Sequence, residues 1–294
     1  MPQVTANNLQ IEYESFGDES APTILLIMGL GAQLGRWNIE LCQALVDHGY
    51  RVIRFDNRDC GLSSKFDTAG VPDIGATLRR GMPLTAAYTL EDMAADCVGL
   101  LDALGIPKAH IVGASMGGAI AQIVAALYPQ RTLSLTSIMS TSSHPDLPPP
   151  TPAAAQALFA PLPATRDQES LVEDAIRRQL AVASPEYPSC PQRLRSLFVE
   201  EHERGFHPRG VTRQLAAFLA SGDRRTLLAT IRVPTLVLHG ADDPLIPVAC
   251  GYDVAAHIPG ARMRVIEGMA HDFPLALTEV FAEAITTVAM AADH

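Results

Sequence analysis

Six short aliphatic runs constrain the fold of this chain more than anything else in it. Thr23 to Met28, Arg51 to Phe55, His110 to Ala114, Leu133 to Met139, Val233 to His239 and Arg262 to Ile266 are continuous apolar or β-branched segments, and helical patterns separate them. A strand that is apolar on both faces must be covered on both faces. Helices between successive strands supply that cover, and they make the strands parallel. The expected fold class is therefore α/β, a mostly parallel central sheet with helices on both faces. Ahead of these runs, Leu9 to Phe16 alternates and is expected to form an antiparallel edge strand.

Two helices are marked by their ends or their spacing. Thr89 with Asp92 forms a capping box ahead of Leu90 to Leu104, and Gly105 with Pro107 stops that helix. Met93, Cys97, Leu100, Leu101 and Leu104 then share a face. Leu277, Phe281, Ile285 and Val288 predict a closing helix packed on the sheet. Between Ser143 and Thr230 the strand rhythm stops. The segment opens on the proline-rich HPDLPPPTP, and ESLVEDAIRRQLAVA follows with an apolar stripe of Leu171, Val172, Ala175, Ile176 and Leu180. The expected organisation is a core of residues 1–142 and 231–294 with a helical cap, or lid, over 143–230. Its Leu158, Phe159, Leu162, Tyr187, Phe198, Phe206 and Phe218 point to an apolar or aromatic pocket, although the same side chains could simply pack the insertion onto the core.

The charge balance narrows the partners. With 22 Lys plus Arg against 32 Asp plus Glu, the net charge of −10 argues against nucleic acid. Arg79-Arg80, Arg177-Arg178 and Arg224-Arg225 are isolated pairs, expected on the solvated surface. The start of the chain carries no basic segment followed by an apolar one, and no apolar run reaches the roughly 18 residues of a membrane span. Five scattered cysteines without a Cys-x-x-Cys pair argue against both a disulfide framework and a zinc site. A reducing cytoplasm is the expected location, and the sequence leaves the oligomeric state open.

The chemistry concentrates where the His110–Ala114 run meets a helix. Gly113-Ala114-Ser115-Met116-Gly117 is Gly-x-Ser-x-Gly at a strand-to-helix junction, a nucleophile elbow. Ser115 must sit on a tight, strained turn with its hydroxyl exposed, and only small residues on either side leave room. The glycines fit neither a phosphate loop, which needs a following lysine, nor the Gly-x-Gly-x-x-Gly of a dinucleotide site. A lone serine is a weak nucleophile and requires a base held by a third group. Among the nine histidines, His271 is the best-placed base, five residues past Ile266 in the loop EGMAHDFP. His239 ends a strand, where packing or hydrogen bonding explains it, and His110 begins the serine's strand at the wrong end of the sheet. His48, His202, His207, His257 and His294 default to the surface. For the acid, Asp242 and Asp243 stand side by side in LHGADDPLIP.

In their order, MGLG, FDNRDCGLS, GASMGG, HGADDPLIP and GMAH resemble the α/β-hydrolase superfamily across essentially the whole chain. The MGLGAQLGRW loop is similar to that of aclacinomycin methylesterase and related bacterial esterases, the serine esterase branch. The resemblance implies the chain order Ser, acid, His. Counting three residues beyond Gly240 selects Asp243, with Asp242 a neighbour in the turn and Asp146 a competitor from the preceding core strand. It also implies an oxyanion hole from the backbone amides of Leu30 and Met116. FDNRDCGLSS is similar to the family's D-x-R-G-x-G-x-S turn, with Asp59 in place of the first glycine; Asp56, Arg58 and Ser63 are then structural and Cys60 a bland loop thiol.

The implied function is hydrolysis of carboxylic esters through an acyl-enzyme, on a small-molecule ester with apolar or aromatic groups. Neither a metal nor an organic cofactor is called for. A serine nucleophile argues against the dehalogenase and epoxide hydrolase chemistry that uses Asp. Carbon–carbon, lactone and peracid chemistry use the same triad, and a ligand receptor on the same fold is the alternative from another class.

Overall fold

The buried runs pair into one eight-stranded sheet. The computed structural model describes residues 2–82, 84–160, 165 and 167–292, apart from the side chains of Leu78 and Phe159. Its strands are β1 (Gln3–Ala6), β2 (Leu9–Phe16), β3 (Thr23–Ile27), β4 (Arg51–Phe55), β5 (Ala109–Ala114), β6 (Thr132–Ile138), β7 (Thr235–Gly240) and β8 (Arg262–Ile266), in spatial order β1-β2-β4-β3-β5-β6-β7-β8. The β1–β2 and β2–β4 pairs are antiparallel and all the others parallel. β3, β4, β5 and β7 are buried at every position, which is why their sequences are continuously apolar rather than alternating.

One expectation is overturned. Leu9–Phe16 is antiparallel, but it is not the edge, because β1 pairs outside it from Gln3 opposite Glu12 to Ala6 opposite Leu9. Asn7 and Asn8, at φ 47° and 63°, make the two-residue turn between them. Four residues are too few to show a period, so β1 left no pattern in the sequence.

The helices before the insertion are α1 (Ile39–Asp47), α2 (Ile74–Arg79), α3 (Leu90–Ala103) and α4 (Met116–Leu127). Thr89 Oγ1 accepts from the Asp92 amide at 3.1 Å while Asp92 Oδ2 accepts from the Thr89 amide at 2.8 Å, closing the capping box of α3. Gly105 ends the helix at φ 68°, and Met93, Cys97, Leu100 and Leu101 are buried while Leu104 remains half-buried. Between β6 and β7 the described residues form five helices and no strand: α5 (Pro152–Phe159), α6 (Gln168–Leu180), α7 (Pro191–Gly205), α8 (Pro208–Ala220) and α9 (Arg225–Leu228). In α6, Leu171 and Val172 are buried, but Leu180 is 56% exposed. α10 (Val248–His257) and α11 (Thr278–Met290) complete the chain, and Phe281, Ile285 and Val288 of α11 face the sheet as their spacing predicts. One apolar core lies between the sheet and α3, α4 and α10, the other between the sheet and α1 and α11.

The basic pairs are not all solvated surface. Arg224 is 3% exposed and donates to the Thr141 carbonyl at 2.7 Å and to Ser143 Oγ at 3.1 Å. Arg178 donates to the carbonyls of Ala157, Leu158 and Ala160. Guanidiniums, with five donors each, are spent here on carbonyls that helix ends and loops leave unpaired.

Candidate active site

Ser115 stands at the carboxyl end of β5, between the strand and α4. Its φ of 56° and ψ of −122° lie in a region that non-glycine residues rarely occupy. Such strain persists only where the surroundings over-determine it. Here the Ser115 amide donates to the Ile138 carbonyl at 2.9 Å, and Ser140 Oγ donates to the Ser115 carbonyl at 2.8 Å. Gly117 lets α4 start directly beneath β3, since a Cβ there would come within 2.1 Å of the Ile27 carbonyl oxygen.

The register of the sheet brings the other groups to the same edge. β6 pairs Ile138 with Ala114 on one side and Leu238 on the other, and β7 pairs Gly240 with Ile266. The loops after β7 and β8 therefore leave side by side, tied by the Asp242 amide to the Met269 carbonyl at 3.0 Å. His271 Nε2 lies 3.0 Å from Ser115 Oγ, and His271 Nδ1 lies 2.7 Å from Asp243 Oδ2. The structure thus brings Ser115, His271 and Asp243 into one line of contact. Asp242 next door is exposed, and Asp146 carries 88% side-chain exposure beside His144.

Asp243 is prepared for its place. Its Oδ1 accepts from the amides of Leu245 and Ile246 at 2.9 and 2.8 Å, a turn closed by its own side chain. Burial pushes the carboxyl up, but the charge of His271 and the hydrogen bonds from His239 and His271 outweigh burial and hold it well below the usual carboxylate range. His239 is fully buried; its Nε2 lies 2.8 Å from the Ile246 carbonyl and 3.5 Å from Asp243 Oδ2. It braces the loop that carries Asp243 from behind, in keeping with the hydrogen-bonding role expected of a strand-end histidine.

Leu30 and Met116 both line the space above Ser115. Met116 opens α4, where the first amides of a helix have no partner within it. Gly29 packs against Ser115, its position such that a Cβ would lie 3.0 Å from Ser115 Cβ. In the FDNRDCGLSS turn, Asp56 accepts from the amides of Leu34 and Leu62, Ser63 Oγ donates to the Asp56 carbonyl, and Arg58 pairs with buried Asp96 at 2.6 Å. These contacts hold two loops and touch no open space. Cys60 is buried, and burial pushes its thiol well above the ordinary range, away from nucleophilic character.

A cavity of about 980 Å³ opens above Ser115 and His271. Its walls include Leu147, Leu158, Tyr187, Phe198 and Phe218 from the insertion, together with Met139 and Leu245 from the core. Phe206 instead borders a second, smaller cavity, and Leu162 and the Phe159 side chain lie outside the described residues. Four arginines line the large cavity, and each pairs with a carboxylate: Arg36 with Glu201 at 2.7 Å, Arg54 with Glu14 at 2.6 Å, Arg178 with Asp174 at 2.6 Å, an aspartate it shares with Arg177, and Arg193 with Glu40 at 2.5 Å.

Three buried residues of the insertion escaped the sequence reading. Arg213, with no exposed side-chain surface, donates twice to Asp59 at 2.7 Å, and Asp59 also accepts from Tyr88 and the Phe66 amide. Asp59 sits at φ 66°, so the position where the family turn carries glycine keeps the glycine conformation and adds a charge. Gln214 accepts from the Gly31 amide at 2.8 Å and donates to the Arg58 carbonyl at 2.7 Å. Ser184 bonds on both sides of His271, to the Ala270 amide and to Asp272. The aspartate in a glycine position was the one visible sign; nothing local marks partners more than 80 residues away.

The sheet order, the elbow after β5 and the helical insertion after β6 together define an α/β hydrolase. A family model described as the α/β hydrolase fold matches residues 22–275, and the chain belongs to that family of hydrolases. Among its relatives, rhodomycin D methylesterase of Streptomyces sp. strain C5 is 30% identical, with 96% of this chain and 95% of that protein aligned. The 3-oxoadipate enol-lactonase 2 of Acinetobacter baylyi is 26% identical over 97% and 95% of the two chains. Among solved structures, a meta-cleavage product hydrolase from Pseudomonas fluorescens IP01 shares the fold at a TM-score of 0.78 and 20% identity, with 99% of this chain and 98% of that one covered.

Proposed function

We propose that the protein is a serine esterase that hydrolyses bulky, uncharged, apolar carboxylic esters. The observation that carries this reading is the unbroken contact from Ser115 Oγ through His271 to Asp243 at the base of a large apolar cavity. Ester hydrolysis also agrees with the name of the methylesterase relative.

In the first step Ser115 Oγ attacks the ester carbonyl carbon while His271 Nε2 takes the hydroxyl proton. Asp243 holds the imidazole with Nδ1–H toward itself and stabilises the positive charge that forms. The amides of Leu30 and Met116 stabilise the oxyanion as fixed donors, each contributing about 10²–10³ in rate. The intermediate collapses with loss of the alkoxide, which receives the proton from His271, and leaves the acyl group on Ser115. Water then gives its proton to His271 as it attacks the acyl carbon. Collapse releases the acid and returns the proton to Ser115.

The insertion over 143–230 acts as a cap that supplies much of the wall of the substrate cavity. Its volume falls at the upper end of the range for small-molecule sites, roughly 300–1,000 Å³. The four arginines that line it all pair with carboxylates, only Arg178 sharing its partner, so a free substrate carboxylate would have to compete with groups already in place.

The test uses p-nitrophenyl esters from acetate to palmitate and methyl esters of polycyclic aromatic acids. Wild type should release a burst of alcohol and gain one covalent adduct from a fluorophosphonate, on Ser115. Full ester turnover by Ser115→Ala would refute the assignment.

A further inference from the structure

Every residue of the triplet that carries the base is bonded to the insertion. The His271 amide donates to the Val182 carbonyl at 2.9 Å, and the Ala270 amide donates to Ser184 Oγ at 2.8 Å. The Ser184 hydroxyl in turn donates to Asp272, whose two carboxyl oxygens each lie 3.2 Å from the Ser184 amide. Ser184 and Asp272 are 3% and 8% exposed, so water does not readily replace these bonds. On the far side of the nucleophile, Gln214 of α8 is fully buried. It bridges the Gly31 amide and the Arg58 carbonyl, which fixes the loop that presents the Leu30 amide.

We propose that the insertion between β6 and β7 carries two positioning residues, Ser184 for the His271 imidazole and Gln214 for the Leu30 amide. Neither touches the reacting atoms. Ser184 brackets His271 by holding the residues before and after it, leaving the side chain one direction in which to project. Gln214 ties the oxyanion loop to the turn that follows β4, and neighbouring Val211 packs against Gly31, where a Cβ would meet its methyl at 2.8 Å. The insertion therefore sets the geometry on both sides of the scissile carbonyl in addition to walling the cavity. The substrate contacts that govern binding lie elsewhere in the cavity, so loss of either residue acts on turnover rather than on affinity.

This inference rests on the esterase reading, and the experiment keeps the two apart. Ser184→Ala, Ser184→Thr and Gln214→Met are compared with wild type by kcat per site titrated with a fluorophosphonate, by KM and by Tm. Misplacing a catalytic group by about 1 Å costs about 100-fold, so Ser184→Ala and Gln214→Met should lose about 10–100-fold in kcat per titrated site with KM within about threefold. Ser184→Thr keeps the hydroxyl and should regain most of the loss. Gln214→Met should also bind a phenylboronic acid at least about tenfold more weakly, because the boronate oxygen occupies the amide pair. If Ser184→Ala does not fold, Asp272→Ala removes the partner of the same hydroxyl and takes its place in the comparison. A lowered Tm with unchanged kcat per titrated site would overturn the inference while leaving the esterase reading intact. Turnover by Ser115→Ala would remove that reading itself.

Discussion

Arg213→Met is the sharpest test of what holds the insertion to the core. Asp59 and Arg213 have no exposed side-chain surface, and the carboxylate takes two of its four donors from this one guanidinium. Methionine fills much of the space but leaves Asp59 buried with the Tyr88 hydroxyl, the Phe66 amide and, at 3.9 Å, His207 Nε2. Removing one partner of a buried pair costs about 3–5 kcal/mol, chiefly through the charge left behind. At roughly 2–3 °C per kcal/mol for a chain of this size, Tm at pH 7 should fall by about 6–15 °C. In the wild type, burial pushes the Asp59 carboxyl up, but the bonds from Arg213, Phe66 and Tyr88 bring it below its ordinary value of 3.8. The folded state thus holds the proton less tightly than the unfolded one, and this stabilisation is present above about pH 4 and lost as the pH falls further. Without Arg213, burial prevails and the carboxyl rises, so the variant gains relative stability as acid protonates it. Thermal melts should show the gap between the proteins narrowing from pH 7 to pH 4. The double variant Asp59→Gly/Arg213→Met removes both charges and puts glycine at φ 66°, and it should recover most of the loss. An Arg213→Met protein within about 2 °C of wild type, or a gap that widens in acid, would refute this account.

The paired aspartates separate by activity. Asp243→Asn should lower kcat by about 10⁴-fold through the wrong imidazole tautomer, while Asp242→Asn, at an exposed position, should stay within about twofold; the opposite ranking in steady-state assays would shift the acid by one residue. Cavity charge predicts preference. The neutral dimethyl ester of an aromatic diacid should exceed its monomethyl ester, which retains a carboxylate, by at least about tenfold in kcat/KM, and an equal or reversed ratio would remove the argument from the paired arginines.

Much of this was legible because strands buried on both faces leave an unmistakable sequence, and because strained turns admit few residue types. The six core strands, the capped α3 and the elbow all follow from such local constraints. The four-residue β1 and its position outside β2 did not, since a short pairing closed by two asparagines has no period to detect. The contact of Ser115 with His271 was foreseeable from their positions between elements, and that of Asp243 from the count past Gly240 that the family resemblance implies. Ser184, Arg213 and Gln214 were invisible because their meaning comes from partners brought near only by the packing of the insertion on the core. The burial of Arg224 and the partial burial of Arg178 were missed for the same reason, since an arginine pair reads alike whether it faces water or a set of unpaired carbonyls.

The stitching of Val182 and Ser184 to residues 270–272 bears on how such proteins change substrates. Exchanging the whole insertion between relatives is an obvious route to new specificity, since it replaces much of the cavity wall in a single recombination. Here that exchange would also replace the bonds that hold the His271 loop. A chimera should work only when residues 181–187 and 267–272 travel together as a matched cassette, and libraries that vary the far wall around α5 and α7 should retain more active members than those that cut through the seam.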